Sequence, residues 1–415
     1  MSSRTLSPEN GVLAKWGGSI YGPRTLTHHT IQKNTGSITM DFNFTAEQAM
    51  LRDSVARYFG DHYAFPQRQA VVRSREGWRP GFWRGLADDV GILGAPFDEV
   101  MGGLGGGAIE TMIVMEEIGK ALVIEPYLDT VVIGGGLLRR CGTPRAGELI
   151  GGIIAGEVRL AFAHLEPSSR FDLADVTTAA VQDGSTWRIS GLKDAVRGAP
   201  FASHVLVNAR VSDVSGDGAG VSSFLVATGA QGLSSREYPT VDGSRAADLK
   251  FEGVSAEILG PAGQGIEPLE AAVDEGVVAI CAEGVGVMRR LLADTVEYTR
   301  QRKQFDAPIA ANQALQHRMV DMYMALEQSI SMTYMATLKL DRPALERKRA
   351  VSAAKVQVGK ALRFVGQAAI QLHGGMGMTN ELAISHYFKR ATMIESELGS
   401  VDHHAARIEQ CDAAA

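Results

Sequence analysis

The chain has 415 residues, 45% of them hydrophobic and 21% charged, with a formal net charge of -6 and three cysteines. At about 150 residues per domain this length sets a prior of two to three domains, with a core large enough to stand without disulfides or structural metals. The mild acidity argues against a broad nucleic-acid surface. Charges such as Glu116, Glu117 and Lys120 cut the longest apolar runs short of a membrane helix. The widely spaced Cys141, Cys281 and Cys411 make neither a disulfide framework nor a zinc site, so a reducing cytoplasm is expected.

Residues 1–39 are rich in Ser, Thr and Gly, carry Arg4, Lys15, Arg24 and Lys33 against one acid, Glu9, and show no sustained periodicity. They read as an extension or disordered tail. A folded body is expected from Met40, where Thr45 and Gln48 form a capping-box pattern ahead of Met50, Leu51, Val55, Tyr58 and Phe59. Helical signals then run to about residue 156, and the apolar spacing over 110–119 stops at Gly119, as a C-capped helix would. Between 157 and 265 the texture changes to short β-branched runs at 158–163, 176–181, 187–190, 204–211 and 224–227, with Asp183-Gly184 as a hairpin turn. From 266 to 410 helical spacing returns. Leu315, Met319, Met322, Leu326 and Ile330 form one stripe, Val358, Leu362, Val365, Ala369 and Leu372 another, and Pro343 marks the start of a helix. The expected fold is therefore α+β: an N-terminal helical domain over 40–156, a central β-barrel or sandwich domain over 157–265, and a C-terminal helical bundle over 266–410.

Glycine is over-represented, at 47 residues, and clusters at 102–107, 134–136 and 374–377. The first cluster lies in the helical block without the strand and βαβ unit of a dinucleotide fingerprint, and reads as a surface loop. A second region, Tyr298-Thr-Arg-Gln-Arg302-Lys-Gln304-Phe305-Asp-Ala-Pro308-Ile309 followed by Asn312-Gln313, places Arg300, Arg302 and Lys303 at a helix end. Cations at a helix C-terminus are ordinary, yet a guanidinium fork with an aromatic neighbour also suits a pyrophosphate and a flat ring. The third, Gln371-Leu-His373-Gly374-Gly375-Met-Gly377-Met-Thr379, is either simple capping or a close approach of backbone to ligand. His403-His404 reads as a surface pair rather than a metal site, and neither Gly-x-Ser-x-Gly, His-Glu-x-x-His nor a Walker loop occurs.

In this order and spacing the second and third motifs resemble the acyl-CoA dehydrogenase family. The resemblance runs from Met40 onward and includes Leu259-Gly260-Pro-Ala-Gly263-Gln-Gly265. It implies the same three-domain order with a C-terminal four-helix bundle, and FAD as cofactor in an oxidoreductase that is usually tetrameric. The implied reaction is α,β-dehydrogenation of an acyl-CoA, with an electron-transfer protein as acceptor and no nucleic acid or membrane partner. It further implies that Arg302, Gln304, Phe305, Gln313, Gln371, Gly374 and Gly375 contact FAD bound mainly to a neighbouring subunit.

The reacting end departs from the family pattern. Where relatives carry Thr-Glu-Pro-Gly-x-Gly-Ser-Asp this chain has Leu165-Glu166-Pro167-Ser168-Ser169-Arg170-Phe171-Asp172, and where they carry Trp-Ile-Thr beside the flavin ring it has Ala195-Val196-Arg197. The usual catalytic glutamate falls on Leu398, before Gly399, and the alternative base position of some relatives falls on Gly276, just after Asp274 and Glu275. Glu275 is the preferred candidate base and Glu395 and Glu397 are further ones, each set against the plainer reading of a solvated helix-face charge. Two functions stay open. One is an active dehydrogenase of fatty or dicarboxylyl thioesters with a relocated base. The other is a largely non-catalytic subunit of a heteromeric enzyme that completes its partner's FAD site; the tracts 110–138 and 376–404 most resemble the pimeloyl-CoA dehydrogenase small-subunit type. A homotetramer or a heterotetramer with a homologous subunit follows accordingly. A relative of different chemistry, such as nitroalkane oxidation or flavin monooxygenation, is a third option.

Overall fold

Thr45 opens the first helix, α1 (Ala46–His62), through the expected capping box with Gln48. The computed structural model describes residues 44–211 and 220–414, so the reading of residues 1–39 and of Met40 lies outside the described residues. After α1 come α2 (Phe65–Arg73), α3 (Pro80–Asp88), α4 (Ala108–Ala121), a π-helical turn (Leu128–Gly134) continuing into α5 (Gly135–Cys141), and α6 (Pro144–Ile154). The 102–107 glycines form the loop into α4, where a Cβ at Gly103 would lie 2.1 Å from the Phe97 carbonyl oxygen. One boundary differs from expectation. Gly119 does not end α4, which runs on to Ala121 and stops at Leu122 in the left-handed region. Gly119 instead sits where α4 crosses the bundle, with its missing Cβ 2.1 Å from the Glu283 carbonyl oxygen.

Seven strands follow: β1 (Leu160–Ala163), β2 (Ala179–Asp183), β3 (Thr186–Arg197), β4 (His204–Val211), β5 (Val221–Ala227), β6 (Leu233–Pro239) and β7 (Arg245–Leu259). Pairing runs β4–β2–β3–β7–β5 and returns to β4, which closes a barrel, with β1 added parallel to β4 and β6 beside β7. Asp183 pairs with Thr186 across the expected hairpin turn. β6 escaped the periodicity reading because its residues are mostly exposed and polar, so no apolar alternation marks it. Barrel residues such as Ile189, Val205, Phe224 and Phe251 form a core of their own.

The last block is α7 (Ile266–Gln301), a two-residue hairpin of β8 (Lys303–Gln304) and β9 (Ala307–Pro308), α8 (Gln313–Thr337), α9 (Ala344–His373), α10 (Ala383–Ser396) and α11 (Val401–Ala413). Val358, Leu362, Val365, Ala369 and Leu372 all face inward on α9. The main core is continuous from the N-terminal helices into α7 and α9.

Candidate active site

The retained motifs gather at one end of the bundle. Tyr298 near the end of α7 stacks on His373 at the end of α9, with ring centroids 4.3 Å apart, and its hydroxyl donates to the His373 carbonyl at 3.3 Å. This contact brings the β8–β9 hairpin, the start of α8 and the Gln371–Gly375 stretch into one neighbourhood. All of the expected cofactor-contacting residues there, Arg302, Gln304, Phe305, Gln313, Gln371, Gly374 and Gly375, are exposed. Phe305 is 100% exposed at the hairpin tip, Arg302 makes no salt bridge among the described residues, and a Cβ at Gly374 or Gly375 would meet open space. Neither the ring nor the guanidinium serves the chain's own core, and a planar cation beside an aromatic suits a phosphate and a flat ring.

The loop Glu397-Leu398-Gly399 joins α10 to α11 and is tightly held. The Lys355 ammonium donates to the carbonyls of Ile394 at 2.6 Å and Glu395 at 3.1 Å, and His404 Nε2 lies 3.0 Å from the Leu398 carbonyl oxygen. Leu398 itself has a left-handed φ of 56°, a strained conformation for a leucine that its surroundings have to enforce. A Cβ built at Gly276 would lie 2.7 Å from Ile133 Cγ1 and 3.2 Å from Leu398 Cδ1. The two positions that the family pattern offers to a base therefore converge on one spot, and hydrocarbon fills it.

The four acids considered as bases or flanking them are all engaged. Glu275 points away from Leu398, toward α5, where Arg139 and Arg140 hold its two oxygens at 3.1 and 2.8 Å. Asp274 is buried between Arg347 at 2.9 Å and Arg407 at 2.7 Å, and Glu395 pairs with Arg363 at 3.1 Å. Glu397 accepts from Arg197 with one oxygen and from Arg390 at 2.9 Å with the other. Arg390 in turn grips Glu283 at 2.5 and 2.7 Å and Asp242 at 3.1 Å. His404 is buried rather than at the surface as expected, with its Nδ1 3.2 Å from Ser352 Oγ. The retained Glu166 is structural: it accepts from the buried Lys193 at 2.8 Å and from the backbone of Thr177 and Thr178. Burial opposes its charge, but Lys193 and the two threonines outweigh that and hold its carboxyl down to about 2. The stability this contributes is complete above the ordinary glutamate pKa and is lost as pH falls from there through about 2.

Asp129, on the π-helical turn, escaped the sequence reading. It is buried and has no hydrogen-bond partner among the described residues, and its Oδ2 lies 4.0 Å from a Cβ built at Gly198, next to Arg197. Burial, only partly offset by Arg197, raises its carboxyl to about 7. A lone Asp within Tyr-Leu-Asp-Thr-Val-Val carries no motif, although a polar residue inside an apolar run is the signal that was there to be read. A folded-state pKa above the unfolded one makes the native state hold the extra proton between about pH 4 and 7, so stability falls across that window. Asp129→Asn is expected to flatten this fall and to raise stability at pH 8 by up to about 4 kcal/mol, as measured by urea unfolding at pH 4 and pH 8.

Residues 45–149, 161–254 and 263–410 match the N-terminal, middle and C-terminal domains of acyl-CoA dehydrogenases. The chain belongs to the acyl-CoA dehydrogenase family. It is 30% identical over 366 residues to Probable acyl-CoA dehydrogenase YngJ of Bacillus subtilis, covering 86% of this chain and 95% of that protein. It is 27% identical to the 3-(aryl)acrylate reductase of Clostridium sporogenes, covering 85% and 94%. Among solved structures, the Tcur3481-Tcur3483 steroid acyl-CoA dehydrogenase superposes with a TM-score of 0.81 at 29% identity, covering 89% of this chain and 98% of that one. The ChsE4-ChsE5 complex of Mycobacterium tuberculosis gives 0.82 at 25%, covering 91% and 100%.

The family's cofactor is FAD, and the two ends of this chain's surface suit it differently. The exposed donors Arg302, Gln304, Gln313 and Gln371, with open space over Gly374 and Gly375, fit the polar end of a dinucleotide. The ring end does not fit. Where the resemblance puts the ring, beside residues 195–197, Arg197 reaches from the β domain to Glu397 on the bundle, and the two close the gap between them. No helix among the described residues is long and apolar enough to cross a membrane.

Proposed function

We propose that this chain is a subunit of a heteromeric acyl-CoA dehydrogenase, completing the FAD site of a homologous partner rather than abstracting the substrate's α-proton itself. The observation that carries this reading is the packing of Leu398 against Gly276 and Ile133, which leaves both base positions filled with hydrocarbon. The arginine-bound state of Asp274, Glu275, Glu395 and Glu397 supports it, because a carboxylate held by one or two guanidiniums is a weak base. So do two relatives of the same fold, each solved under the names of two different chains. Arg302, Gln304, Phe305, Gln313, Gln371, Gly374 and Gly375 would then hold the polar end of FAD seated in the partner, in a heterotetramer. When bound there, FAD would supply the hydride-accepting chemistry of the reaction. The partner supplies the base, and the exposed Val320, Met324, Phe364, Met376 and Met378 are apolar surface that such assembly would cover. The substrate class we infer is an acyl-CoA, with a dicarboxylyl-CoA suggested by the resemblance to the pimeloyl-CoA small-subunit type. An electron-transfer protein in the cytoplasm takes the electrons.

The test is to purify the chain alone, measure flavin per subunit by absorbance, and add pimeloyl-CoA and octanoyl-CoA without oxygen. Little flavin alone, restored on co-expression with a homologue bearing glutamate at the Leu398 position, supports the proposal; stoichiometric FAD that bleaches with either thioester overturns it. Arg302→Ala is expected to lower the flavin content of the co-expressed complex by at least about tenfold, the worth of one charge-assisted bond. The melting temperature of the isolated chain should not change, since Arg302 is exposed.

A second reading, an active dehydrogenase with Glu275 as base, draws on one observation. Glu275 lines a cavity of about 180 Å³ whose walls include Met112, Val131, Val132, Val278 and Leu340. Glu275→Gln should then abolish bleaching with FAD still bound, and unchanged bleaching removes Glu275.

A further inference from the structure

The ion pair between Arg197 and Glu397 joins groups 200 residues apart, one at the end of β3 and the other at the end of α10. It is the outermost link of a chain of charges that runs through Arg390 to Glu283 on α7 and to Asp242 in the β6–β7 turn. Arg68 on α2 adds the N-terminal domain, donating to the Asp242 carbonyl at 2.6 Å and to the Leu122 carbonyl at 2.9 Å. All three domains thus meet at one polar junction. A flat ring between two protein walls needs them roughly 7 Å apart, one van der Waals contact of about 3.5 Å on each face. Side chains in hydrogen-bond contact leave no such slot.

Seating a ring would also break the link and take from Arg197 the carboxylate it contacts directly, leaving it the more distant charges of Asp242 and Glu283. Charges taken from water keep their place only while paired. Gly198, at a φ of 69°, turns the backbone directly after Arg197, so the guanidinium is presented by the strand end and not by a loose loop. The side chain keeps 22% of its surface exposed, so a shorter residue can replace it without opening a core cavity.

We propose that Arg197 is the residue that decides whether this chain admits a flavin ring: its bridge to Glu397 shuts the gap and ties the β domain to the bundle. This rests on the partner-subunit reading and goes one step beyond it, from which chain lacks the ring to which side chain keeps it out. Threonine, which stands at this position in the family pattern, cannot reach Glu397, whereas lysine can.

The experiment titrates FAD into the isolated wild-type chain, Arg197→Thr and Arg197→Lys, following quenching of flavin fluorescence and the melting temperature with and without FAD. Arg197→Thr is expected to bind FAD at least about tenfold more tightly than wild type, to melt lower than wild type without FAD, and to recover when FAD is added. Arg197→Lys should bind no better than wild type. Glu397→Gln, whose fold is kept by the Arg390–Glu283 pair, should show a smaller gain in the same direction. Arg197→Thr and Glu397→Gln both binding no better than wild type, or Arg197→Lys gaining as much as Arg197→Thr, overturns the proposal while leaving the partner-subunit reading intact. A wild-type chain that binds FAD stoichiometrically overturns both.

Discussion

Replacing Arg390 with methionine is expected to destabilise the protein by about 3–5 kcal/mol, the usual result of stripping the counter-ion from buried carboxylates. Arg390 is 4% exposed and binds Glu283, Asp242 and Glu397 together. Glu397 would keep Arg197 and Asp242 would keep its bond from the Thr240 hydroxyl at 2.5 Å, but Glu283 would be left charged in the core without a partner. Two outcomes identify the cause as stranded charge and not lost volume. The deficit should narrow toward acidic pH, where the stranded carboxylates take up protons. The double variant Arg390→Met with Glu283→Leu should also recover much of the loss, since a well-packed apolar pair can match a buried ion pair. Urea unfolding at pH 5 and pH 7.5 measures both, and a double variant no more stable than Arg390→Met would show that packing, not charge, holds this junction.

Gly286→Val is the other substitution with a large expected effect. A Cβ at Gly286 would lie 2.0 Å from the Glu116 carbonyl oxygen and 2.9 Å from the Lys120 amide nitrogen, both backbone atoms of α4. Gly119 meets the Glu283 carbonyl in the same way from the opposite side, so α4 and α7 cross with backbone against backbone. Neither helix can yield by changing a rotamer. The expected loss is about 3–5 kcal/mol, at the upper end of overpacking costs because no flexible atom stands in the way to give. The control is Gly147→Ala in α6, where a Cβ meets nothing within 4 Å; it should be neutral or stabilising by about 0.5–1 kcal/mol through helix propensity. Equal midpoints for Gly286→Val and wild type in urea would refute the backbone-contact account. The crossing matters for the site because α7 carries Gly276 and Glu283, and parting the helices moves both.

Much of this protein was legible along the chain. The change of hydrophobic period from helical to alternating and back gives the order of the blocks, since period depends only on local backbone geometry. The capping box at Thr45, the Asp183-Gly184 turn and the stripe on α9 are local in the same sense. The absence of a carboxylate at 398 and at 276 was likewise a matter of reading letters at counted positions. β6 and the true end of α4 were not legible, and for different reasons. β6 is exposed and has no apolar pattern. Gly119, a residue that ordinarily ends helices, was kept inside one because another helix's backbone needed the space.

The sequence by itself determined the block order, the arginine, glutamine and glycine motifs at one helix end each, and the absence of a carboxylate at 276 and 398. Only the tertiary structure decided that those motifs share one exposed end of the bundle, and that Ile133 and Leu398 fill the space over Gly276. It alone shows that Glu275 turns to Arg139 and Arg140, and that Arg197 spans the gap to Glu397. The ion pairs among these join residues from 135 to 200 apart. One step along a helix turns a side chain by about 100°, so which arginine an acid meets depends on how rigid helices and strands are set against one another. Local pattern carries no record of that placement.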